Sequence, residues 1–349
     1  MALPLTAKCP YPTLINPKVN FSRLNQGIEM HKILVTGAAG QIGSELTIVL
    51  RKRYGNENVI ATAHKKRPDE ALLESGPCHF IDCTEINMVA EIVKKYKVGT
   101  IYHLASILSA VAEENPQFAW NVNMFGLYNV LEVARDYKCA VFTPSSIGAF
   151  GLTTPLDETP QDTIQRPNTM YGITKVAGEL LCDYYFRRFG VDTRGVRYPG
   201  LISYKTLPGG GTTDYAVEIF YEAVKQKKYT CYLKAGTCLD MMYMPDALRA
   251  AIALMEAGPS KLKHRNAFNV TAMSVAPEDI AAEIKKIIPE FTLDFKVDPL
   301  RQAIADSWPN SMDDSAARKE WGWKPEYDLE STTRDMIEHI SQKPKIKTD

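Results

Sequence analysis

The segment VTGAAGQIGSEL, residues 35–46, decides the fold of this chain. It stands between a short apolar run and an amphipathic stretch, and it places Gly37, Gly40 and Gly43 at regular three-residue intervals. The first glycine suits a tight turn, the second lets backbone approach a pyrophosphate, and the third permits close packing of helix on strand. The sequence therefore predicts a dinucleotide site in the first strand–helix unit. The alternative is a glycine turn chosen for packing alone.

Short apolar runs alternate with amphipathic stretches from residue 31 to about residue 200. This alternation is typical of right-handed βαβ units and predicts an α/β fold with a Rossmann-type, doubly wound parallel sheet. Beyond it, a Gly-Gly-Gly tract interrupts the rhythm. We therefore expect an N-terminal extension over 1–30, a dinucleotide-binding Rossmann domain over 31–200, and a smaller α/β substrate lobe over 201–349. Segments of this later part of the chain can also pack on or join the Rossmann sheet.

Particular elements follow from the same pattern. We predict one strand over 139–146, one strand over 192–202, and long helices over 117–137 and 170–189. Ligands of such sheets lie beyond the carboxyl ends of the strands, so the residues that follow each strand are the candidates for the site.

Composition excludes several classes of function. The 349 residues carry 41 basic and 41 acidic side chains, so no global basic field attracts nucleic acid. No apolar run reaches the roughly 18 residues that span a bilayer. The seven cysteines are scattered without zinc-ligand spacing, which favours reduced thiols and predicts no metal site.

The first 28 residues differ from the rest of the chain. They contain no acid, carry Lys8, Lys18 and Arg23, and are interrupted by four prolines. The lack of acids suits a mitochondrial presequence, whereas the single arginine and the prolines do not. An ordinary extension or a strap on the domain is the alternative.

Tyr171 and Lys175, in the stretch TMYGITKVAGEL (169–180), share one helix face because they are four residues apart. A phenol has a pKa of about 10, and a nearby ammonium lowers that pKa by stabilising the phenolate. Upstream, Ser145 and Ser146 end a predicted strand, where a hydroxyl could bond a reacting oxygen. Chance placement on a helix face is the alternative for the pair alone. The glycine turn and the serines favour catalysis.

The acid that usually binds the adenosine ribose at the end of the second strand is absent. Ala63 and His64 occupy its place, and three basic residues follow them at 65–67. Basic residues there could accommodate a 2′-phosphate, or they could form a solvated loop. Asp82 ends the next strand and could meet the adenine. We predict NAD and leave NADP open.

Several motifs together resemble one family. They are the glycine turn 37–43, HLAS (103–106), NVNMFG (121–126), PSSIGAFG (144–151), the Tyr171/Lys175 pair and RYPGLI (197–202). Over residues 31–330 the chain resembles the extended short-chain dehydrogenase/reductases, the group that includes UDP-galactose 4-epimerase. The stretches PGGGTTDYAVEIFY and SWPNSMDDSAARKEWGWKPEYDL are similar to the L-threonine 3-dehydrogenases of this group.

The resemblance implies an activity: metal-independent oxidation of the L-threonine 3-hydroxyl by NAD to L-2-amino-3-ketobutyrate, a step of threonine catabolism. It also implies roles. Tyr171 would be the base, Lys175 would bind the nicotinamide ribose, and Ser146 would bond the substrate hydroxyl, with Ser145 as the other candidate. The cofactor contacts implied are Gly37, Gly40, Gln41, Ile42, Gly43, Asp82, Cys83, Leu104, Ala105, Ser106, Asn123, Tyr171, Lys175, Tyr198, Pro199 and Ile202. For Asn123 the alternative is a solvent-facing asparagine, and for 198–202 it is strand core.

The substrate contacts implied are Ser109, Ser146, Tyr171, Thr212, Thr213, Asp214 and Trp308. A helix N-cap is the alternative for Asp214, because TTDYAVEIF suits a helix start. A packing role is the alternative for Trp308.

The resemblance further implies a homodimer through helices 117–137 and 170–189, and it favours a mitochondrial over a cytoplasmic protein. The rival function is an NAD-dependent nucleotide-sugar epimerase or dehydratase.

Overall fold

The computed structural model describes residues 32–205 and 209–342. The predicted N-terminal extension therefore lies outside the described residues. The strands, in chain order, are β1 Lys32–Thr36, β2 Val59–Ala63, β3 Cys78–Phe80, β4 Val98–His103, β5 Ala140–Phe142, β6 Ser145–Ser146, β7 Thr193–Arg194, β8 Val196–Tyr198, β9 Gly200–Ile202, β10 Lys228–Cys231, β11 Leu239–Tyr243, β12 Phe268–Asn269, β13 Met273–Val275 and β14 Thr292–Phe295.

The α-helices, again in chain order, are α1 Gln41–Tyr54, α2 Glu70–Glu74, α3 Ile86–Tyr96, α4 Ser109–Glu114, α5 Pro116–Trp120, α6 Gly126–Tyr137, α7 Met170–Phe189, α8 Tyr215–Gln226, α9 Met244–Glu256, α10 Pro277–Ile287, α11 Pro299–Ala305, α12 Ser315–Trp321 and α13 Leu329–Gln342. No helix in these described ranges is both long and apolar enough to cross a bilayer.

A six-stranded parallel sheet in the order β3-β2-β1-β4-β5-β7 confirms the predicted α/β class with a Rossmann-type sheet. The order runs outward from β1 in one direction and resumes beside it at β4, so a crevice opens between these two strands at their carboxyl ends. This crevice is where the glycine turn and the residues after β4 meet.

Helices cover both faces of the sheet because successive residues of each strand point to opposite sides. In β1, Ile33 and Val35 pack into the core shared with α1 and α9, whereas Leu34 packs into the core shared with α3 and α6. Burial on both faces explains why β1 is a continuous apolar run and does not alternate in polarity.

Two predicted strands are divided in the structure, and those predictions were wrong in extent. The strand predicted over 192–202 becomes β7, β8 and β9, which belong to three different sheets. Gly195 separates the first two: a Cβ there would lie 2.6 Å from the Thr143 carbonyl oxygen. Pro199 separates the last two, because proline has no amide hydrogen for a strand ladder. In the same way, residues 143–144 divide the strand predicted over 139–146 into β5 and β6.

The later part of the chain forms a separate apolar core beside the sheet, built from α8, α10, α13 and the strands around β11. One helix of this part, α9, packs instead on the face of the six-stranded sheet, against α1. The division of the chain at about residue 200 stays a prediction.

The helix predicted over 117–137 is present, but it is not uniform. It runs as α5, a π-helical segment Asn121–Phe125, and α6. The helix predicted over 170–189 is α7, which begins at the side-chain cap of Thr169 and ends at Gly190 with φ +70°.

Candidate active site

The glycine turn joins β1 to α1 and leaves the start of the helix open. Gly37 has φ +72°, and a Cβ there would lie 2.7 Å from the Ala105 amide nitrogen. A Cβ on Gly43 would lie 2.2 Å from the Gly37 carbonyl oxygen. Both positions therefore demand glycine.

The first turn of α1 contains Gln41, Ile42 and Gly43 and has no acid, and Gly40 contributes no side-chain cap. Unpaired amide groups at a helix N-terminus attract anions, so the turn fits a pyrophosphate.

A cavity opens beside this turn at the ends of β2 and β3. Its lining includes Gly37, Thr62, Ala63, His64, Ile81, Asp82, Cys83, Thr84, Ala105, Phe118, Asn121 and Val122. The predicted contacts Asp82 and Cys83 therefore do lie beside the glycine turn. Burial raises the pKa of the Cys83 thiol to about 12, so this thiol stays protonated and apolar at neutral pH.

A second cavity lies between the end of β4 and α7. It is lined by His103, Leu104, Ala105, Ser106, Asn123, Leu127, Thr143, Pro144, Ser145, Thr174, Lys175, Gly178, Glu179, Cys182, Gly195, Asn266 and Ala267. The structure thus brings the three residues that follow β4 next to the lysine of the predicted catalytic pair.

The predicted catalytic side chains gather at the same edge. Lys175 Nζ lies 5.3 Å from the centroid of the Tyr171 ring and donates to the Pro144 carbonyl oxygen at 3.0 Å. Ser146 Oγ accepts from the Gly148 amide at 3.1 Å. Gly148 packs directly on the tyrosine, since a Cβ there would lie 3.3 Å from the Tyr171 ring. A phenol, an ammonium and a hydroxyl on this edge suit proton abstraction from an alcohol.

The two serines of β6 have different partners. Ser145 is buried and donates to the Glu179 carboxylate, which Arg197 clamps with two bonds of 3.0 and 2.8 Å. Ser146 is less buried, and among the described residues its side chain bonds only the amide of Gly148, two residues further on. The geometry therefore favours Ser146 over Ser145 as the hydroxyl offered to a ligand.

Asn123 joins α7 to the loop after β4. Its Oδ1 accepts from the Ile107 amide at 2.7 Å and from Ser106 Oγ at 3.1 Å, and its Nδ2 donates to Thr174 Oγ1 at 3.1 Å. It is 8% exposed, so a solvent-facing role is excluded. Asn123 holds Ser106 and α7 at a fixed separation.

His103 lies beneath the same edge and is structural. Its Nδ1 lies 2.8 Å from Thr36 Oγ1, which ties β4 to β1. Burial, helped by the Lys175 charge, lowers its pKa from 6.5 to about 3, so the ring is neutral at physiological pH.

Tyr198 and Ile202 have side chains in apolar cores. The Tyr198 hydroxyl donates to the Ala247 carbonyl oxygen at 2.6 Å, in the core on the α1 side of the sheet. Ile202 is fully buried in the core of the smaller lobe. Both side chains therefore lie in strand core, which was the alternative interpretation. Nicotinamide contacts by residues 198–202, including Pro199, stay predictions.

The predicted substrate residues converge from three segments. Ser109 Oγ, at the start of α4, lies 3.5 Å from Thr212 Oγ1, and both residues are buried. Trp308 is 5% exposed and lies beside Gly148, where a Cβ would approach its ring to 3.4 Å. Thr213 packs on Gly200, whose Cβ would lie 2.9 Å from its methyl group.

Asp214 precedes α8, but its side chain does not cap that helix. Its Oδ2 accepts from the amides of Gly210 at 2.8 Å and Gly211 at 2.7 Å. The carboxylate thus folds the glycine loop, defined here as residues 209–214, onto itself. Burial raises the pKa of Asp214 above its ordinary value despite those two bonds.

Comparison with known proteins agrees with this geometry. The model of the NAD dependent epimerase/dehydratase family matches residues 33–271. The chain belongs to this family. An uncharacterized epimerase/dehydratase of Staphylococcus haemolyticus is 55% identical over 91% of this chain and 100% of its own length.

Two solved structures extend the comparison. L-threonine dehydrogenase from Clostridium difficile is 62% identical with a TM-score of 0.88, covering 90% of this chain and 98% of its own. The GalE-like L-threonine dehydrogenase from Cupriavidus necator is 49% identical with a TM-score of 0.86, covering 88% and 99%. The predicted resemblance is confirmed, and the chain is a nicotinamide-dependent oxidoreductase. Which of NAD and NADP it uses is a separate question.

The prediction of a mitochondrial protein was wrong. Staphylococcus and Clostridium are bacteria, which have no mitochondria. An acid-poor terminus with one arginine is a weak signal, because ordinary extensions share that composition. The cytoplasmic alternative is compatible with these relatives.

Four residues of the site were not predicted from the sequence: Gly148, Glu179, Arg197 and Glu113. Glu113 accepts from the Met170 amide at 2.6 Å and so anchors the start of α7 to α4. Gly148 stands in the quoted motif PSSIGAFG and could have been identified there. Glu179 and Arg197 also stand in quoted stretches, TMYGITKVAGEL and RYPGLI, but no sequence pattern reports that these charged side chains are buried. No pattern reports the contact of Glu113 either.

Proposed function

We propose that this protein oxidises the 3-hydroxyl of L-threonine with NAD to give L-2-amino-3-ketobutyrate. The observation that supports the proposal is the bond from the Met170 amide, beside Tyr171, to Glu113 on α4, the helix that begins at Ser109. It links two sets of side chains. One set, Ser146, Tyr171 and Lys175, suits removal of a hydroxyl proton. The other, Ser109, Thr212 and Asp214, suits a small zwitterion.

Tyr171 serves as the base that takes the substrate hydroxyl proton. Lys175 Nζ lies 5.3 Å from the centroid of the tyrosine ring, which places a positive charge beside the phenol. Ser146 donates to the reacting oxygen, which orients the alcohol toward the phenol. When bound, the nicotinamide supplies the acceptor for the hydride from C3. The residues that would hold it are those of the glycine turn, the loop after β4 and Lys175.

Residues of α4 and of the later part of the chain together account for the choice of an amino acid. The ammonium group of threonine needs an anionic or carbonyl partner, and the buried Asp214 carboxylate supplies one. The substrate carboxylate needs donors, which the hydroxyls of Ser109 and Thr212 supply. Trp308, beside Gly148, limits the room next to Tyr171. Short hydroxyl side chains and one carboxylate suit threonine better than a nucleotide diphosphate sugar.

The rival function is a nucleotide-sugar epimerase or dehydratase of the same family. One assay separates the two. The protein is mixed with NAD and L-threonine, and the absorbance of the reduced nicotinamide is followed, with Tyr171→Phe as the matched control. Reduction that requires both threonine and Tyr171 supports the proposal. Conversion of a UDP-sugar without reduction in the presence of threonine would overturn it.

We also propose a homodimer through the helix pair 117–137 and 170–189. Supporting this, four large apolar side chains on these helices are unusually exposed. They are Phe125 (51%), Tyr128 (45%), Leu180 (63%) and Tyr184 (53%). Light scattering should give a dimer mass for the native protein and a monomer mass for Leu180→Glu. A monomer mass for both would contradict the dimer.

A further inference from the structure

The end of β2 lacks the group by which dinucleotide sites usually select NAD. An acid at this position binds the 2′-hydroxyl of the adenosine ribose, whereas a nearby basic residue accommodates a 2′-phosphate. Here the last residue of β2 is Ala63, which is 3% exposed and has no polar side-chain atom. This strand end therefore offers neither a hydroxyl acceptor nor a charge that repels phosphate.

The four residues that follow are basic or titratable and face solvent. His64, Lys65, Lys66 and Arg67 are all exposed, and they form one continuous segment that we call the basic segment. It begins at the wall of the cavity beside the glycine turn, because His64 lines that cavity together with Gly37 and Ala63. Donors of this kind bind phosphate by charge-assisted hydrogen bonds.

The one carboxylate in that wall is already occupied. Asp82 Oδ1 accepts from the amide and the hydroxyl of Thr84 at 2.9 and 2.7 Å, and Oδ2 lies 3.4 Å from His64 Nε2. The Asp82 carboxylate is thus bonded to Thr84 and lies beside His64 before any ligand arrives. It stands at the end of β3, one strand away from the position of the missing acid.

We propose that the basic segment binds the 2′-phosphate of NADP, so that this protein binds NADP as well as NAD. The proposal rests on the dinucleotide site of the proposed function, but not on the identity of the substrate. It assigns a role in cofactor choice to four residues, 64–67, beyond the glycine turn.

The test uses two fragments that differ by one group, 5′-AMP and 2′,5′-ADP, titrated into the full chain by calorimetry. A single charge-assisted contact is enough to change affinity about tenfold, so we expect 2′,5′-ADP to bind at least about tenfold tighter than 5′-AMP. The triple variant K65A/K66A/R67A should lose that difference and keep its affinity for 5′-AMP. Equal affinities of the native protein for the two fragments would overturn the proposal.

A matched control removes the same amount of charge elsewhere. Lys52, Lys285 and Lys319 are exposed residues on α1, α10 and α12. K52A/K285A/K319A should keep the native preference for 2′,5′-ADP. Loss of the preference in this control would show a non-specific charge effect and would also overturn the proposal.

A third variant restores the missing acid. Ala63→Asp should weaken 2′,5′-ADP binding by about tenfold or more, because a carboxylate at this strand end repels the 2′-phosphate, and it should spare 5′-AMP. An unchanged preference in folded Ala63→Asp would count against the proposal. Threonine turnover is measured separately: a protein that prefers 2′,5′-ADP but does not oxidise threonine would refute the proposed substrate and leave the 2′-phosphate site standing.

Discussion

The catalytic edge, which comprises Ser146, Tyr171 and Lys175, and the glycine loop 209–214 are held in place by different means. The edge is supported by buried neighbours on several elements: Asn123 bonds both Ser106 and Thr174, and Glu179 is clamped by Arg197. The loop turns on one carboxylate that accepts two of its own backbone amides, and the Tyr232 hydroxyl, which donates to the Thr212 carbonyl oxygen at 3.2 Å, adds a contact from outside the loop.

The difference suggests that the proposed reaction and the proposed substrate recognition depend on separate parts of this protein. The side chains proposed to perform the reaction are fixed by the sheet and its helices, whereas those proposed to recognise the substrate lie on a loop that folds on its own carboxylate. Changes at the edge should therefore act on kcat or on stability, whereas changes in the loop should act on KM.

The largest effect is expected at the phenol. Tyr171→Phe removes the hydroxyl group that would take the proton and keeps the ring that packs on Gly148, so turnover should fall about 10³-fold while the fold and cofactor affinity persist. Steady-state rates and calorimetric titration of the cofactor measure the two quantities. Turnover within tenfold of the native value would remove Tyr171 from the role of base.

The buried ion pair should dominate the stability of the edge. Arg197→Met leaves the Glu179 carboxylate buried and unpaired, which should lower the free energy of unfolding by about 3–5 kcal/mol. The matched control is Arg187→Met, because Arg187 is 75% exposed and bonds Asp183 at 3.2 Å. That exposed pair should contribute at most about 0.5 kcal/mol. Urea unfolding of both variants measures the two losses. Equal decreases in the free energy of unfolding would show that the buried pair contributes no more than the exposed one.

Acid should weaken the edge through His103. The unfolded chain takes up a proton at this histidine near pH 6.5, but the folded protein does so only at about pH 3. The folded-state pKa is lowered, so stability is lost as pH falls below 6.5 and the loss is complete near pH 3. Between pH 7.5 and pH 5 the free energy of unfolding should therefore fall by about 2 kcal/mol. His103→Gln should show a correspondingly smaller decline in urea unfolding, and an equal decline in both proteins would contradict this account.

The smallest effect separates two roles of the loop carboxylate. Asp214→Asn keeps an oxygen that accepts from Gly210 and Gly211 but loses the negative charge. If Asp214 attracts the ammonium of threonine, the KM should rise about tenfold with kcat little changed. Asp214→Ala should raise the KM at least as much. A native KM for Asp214→Asn, combined with a raised KM for Asp214→Ala, would show that Asp214 holds the loop and does not bind the ammonium group.

The sequence predicted the parts of the molecule that depend on local pattern. The glycine turn, the strand–helix alternation and the Tyr171/Lys175 spacing each follow from backbone demands or helix periodicity, and the structure places them as expected. The division of the strand over 192–202 was missed, because it depends on which distant partners pair with each segment. The same limit applies to Glu179 and Arg197, whose burial results from tertiary packing and leaves no trace in residue type.

The π-helical segment 121–125 has a consequence for how this region can change. An α-helix turns about 100° per residue, so the wider π turn sets α5 and α6 out of phase with an unbroken helix. Before the π turn, Phe118 faces the cavity beside the glycine turn, and after it Val130 and Leu131 fill the sheet core. Deleting one residue from the segment would rotate the ligand-facing half about the helix axis relative to the core-facing half. A change of a single residue in length could thus redirect the wall of a binding cavity without a substitution in the core.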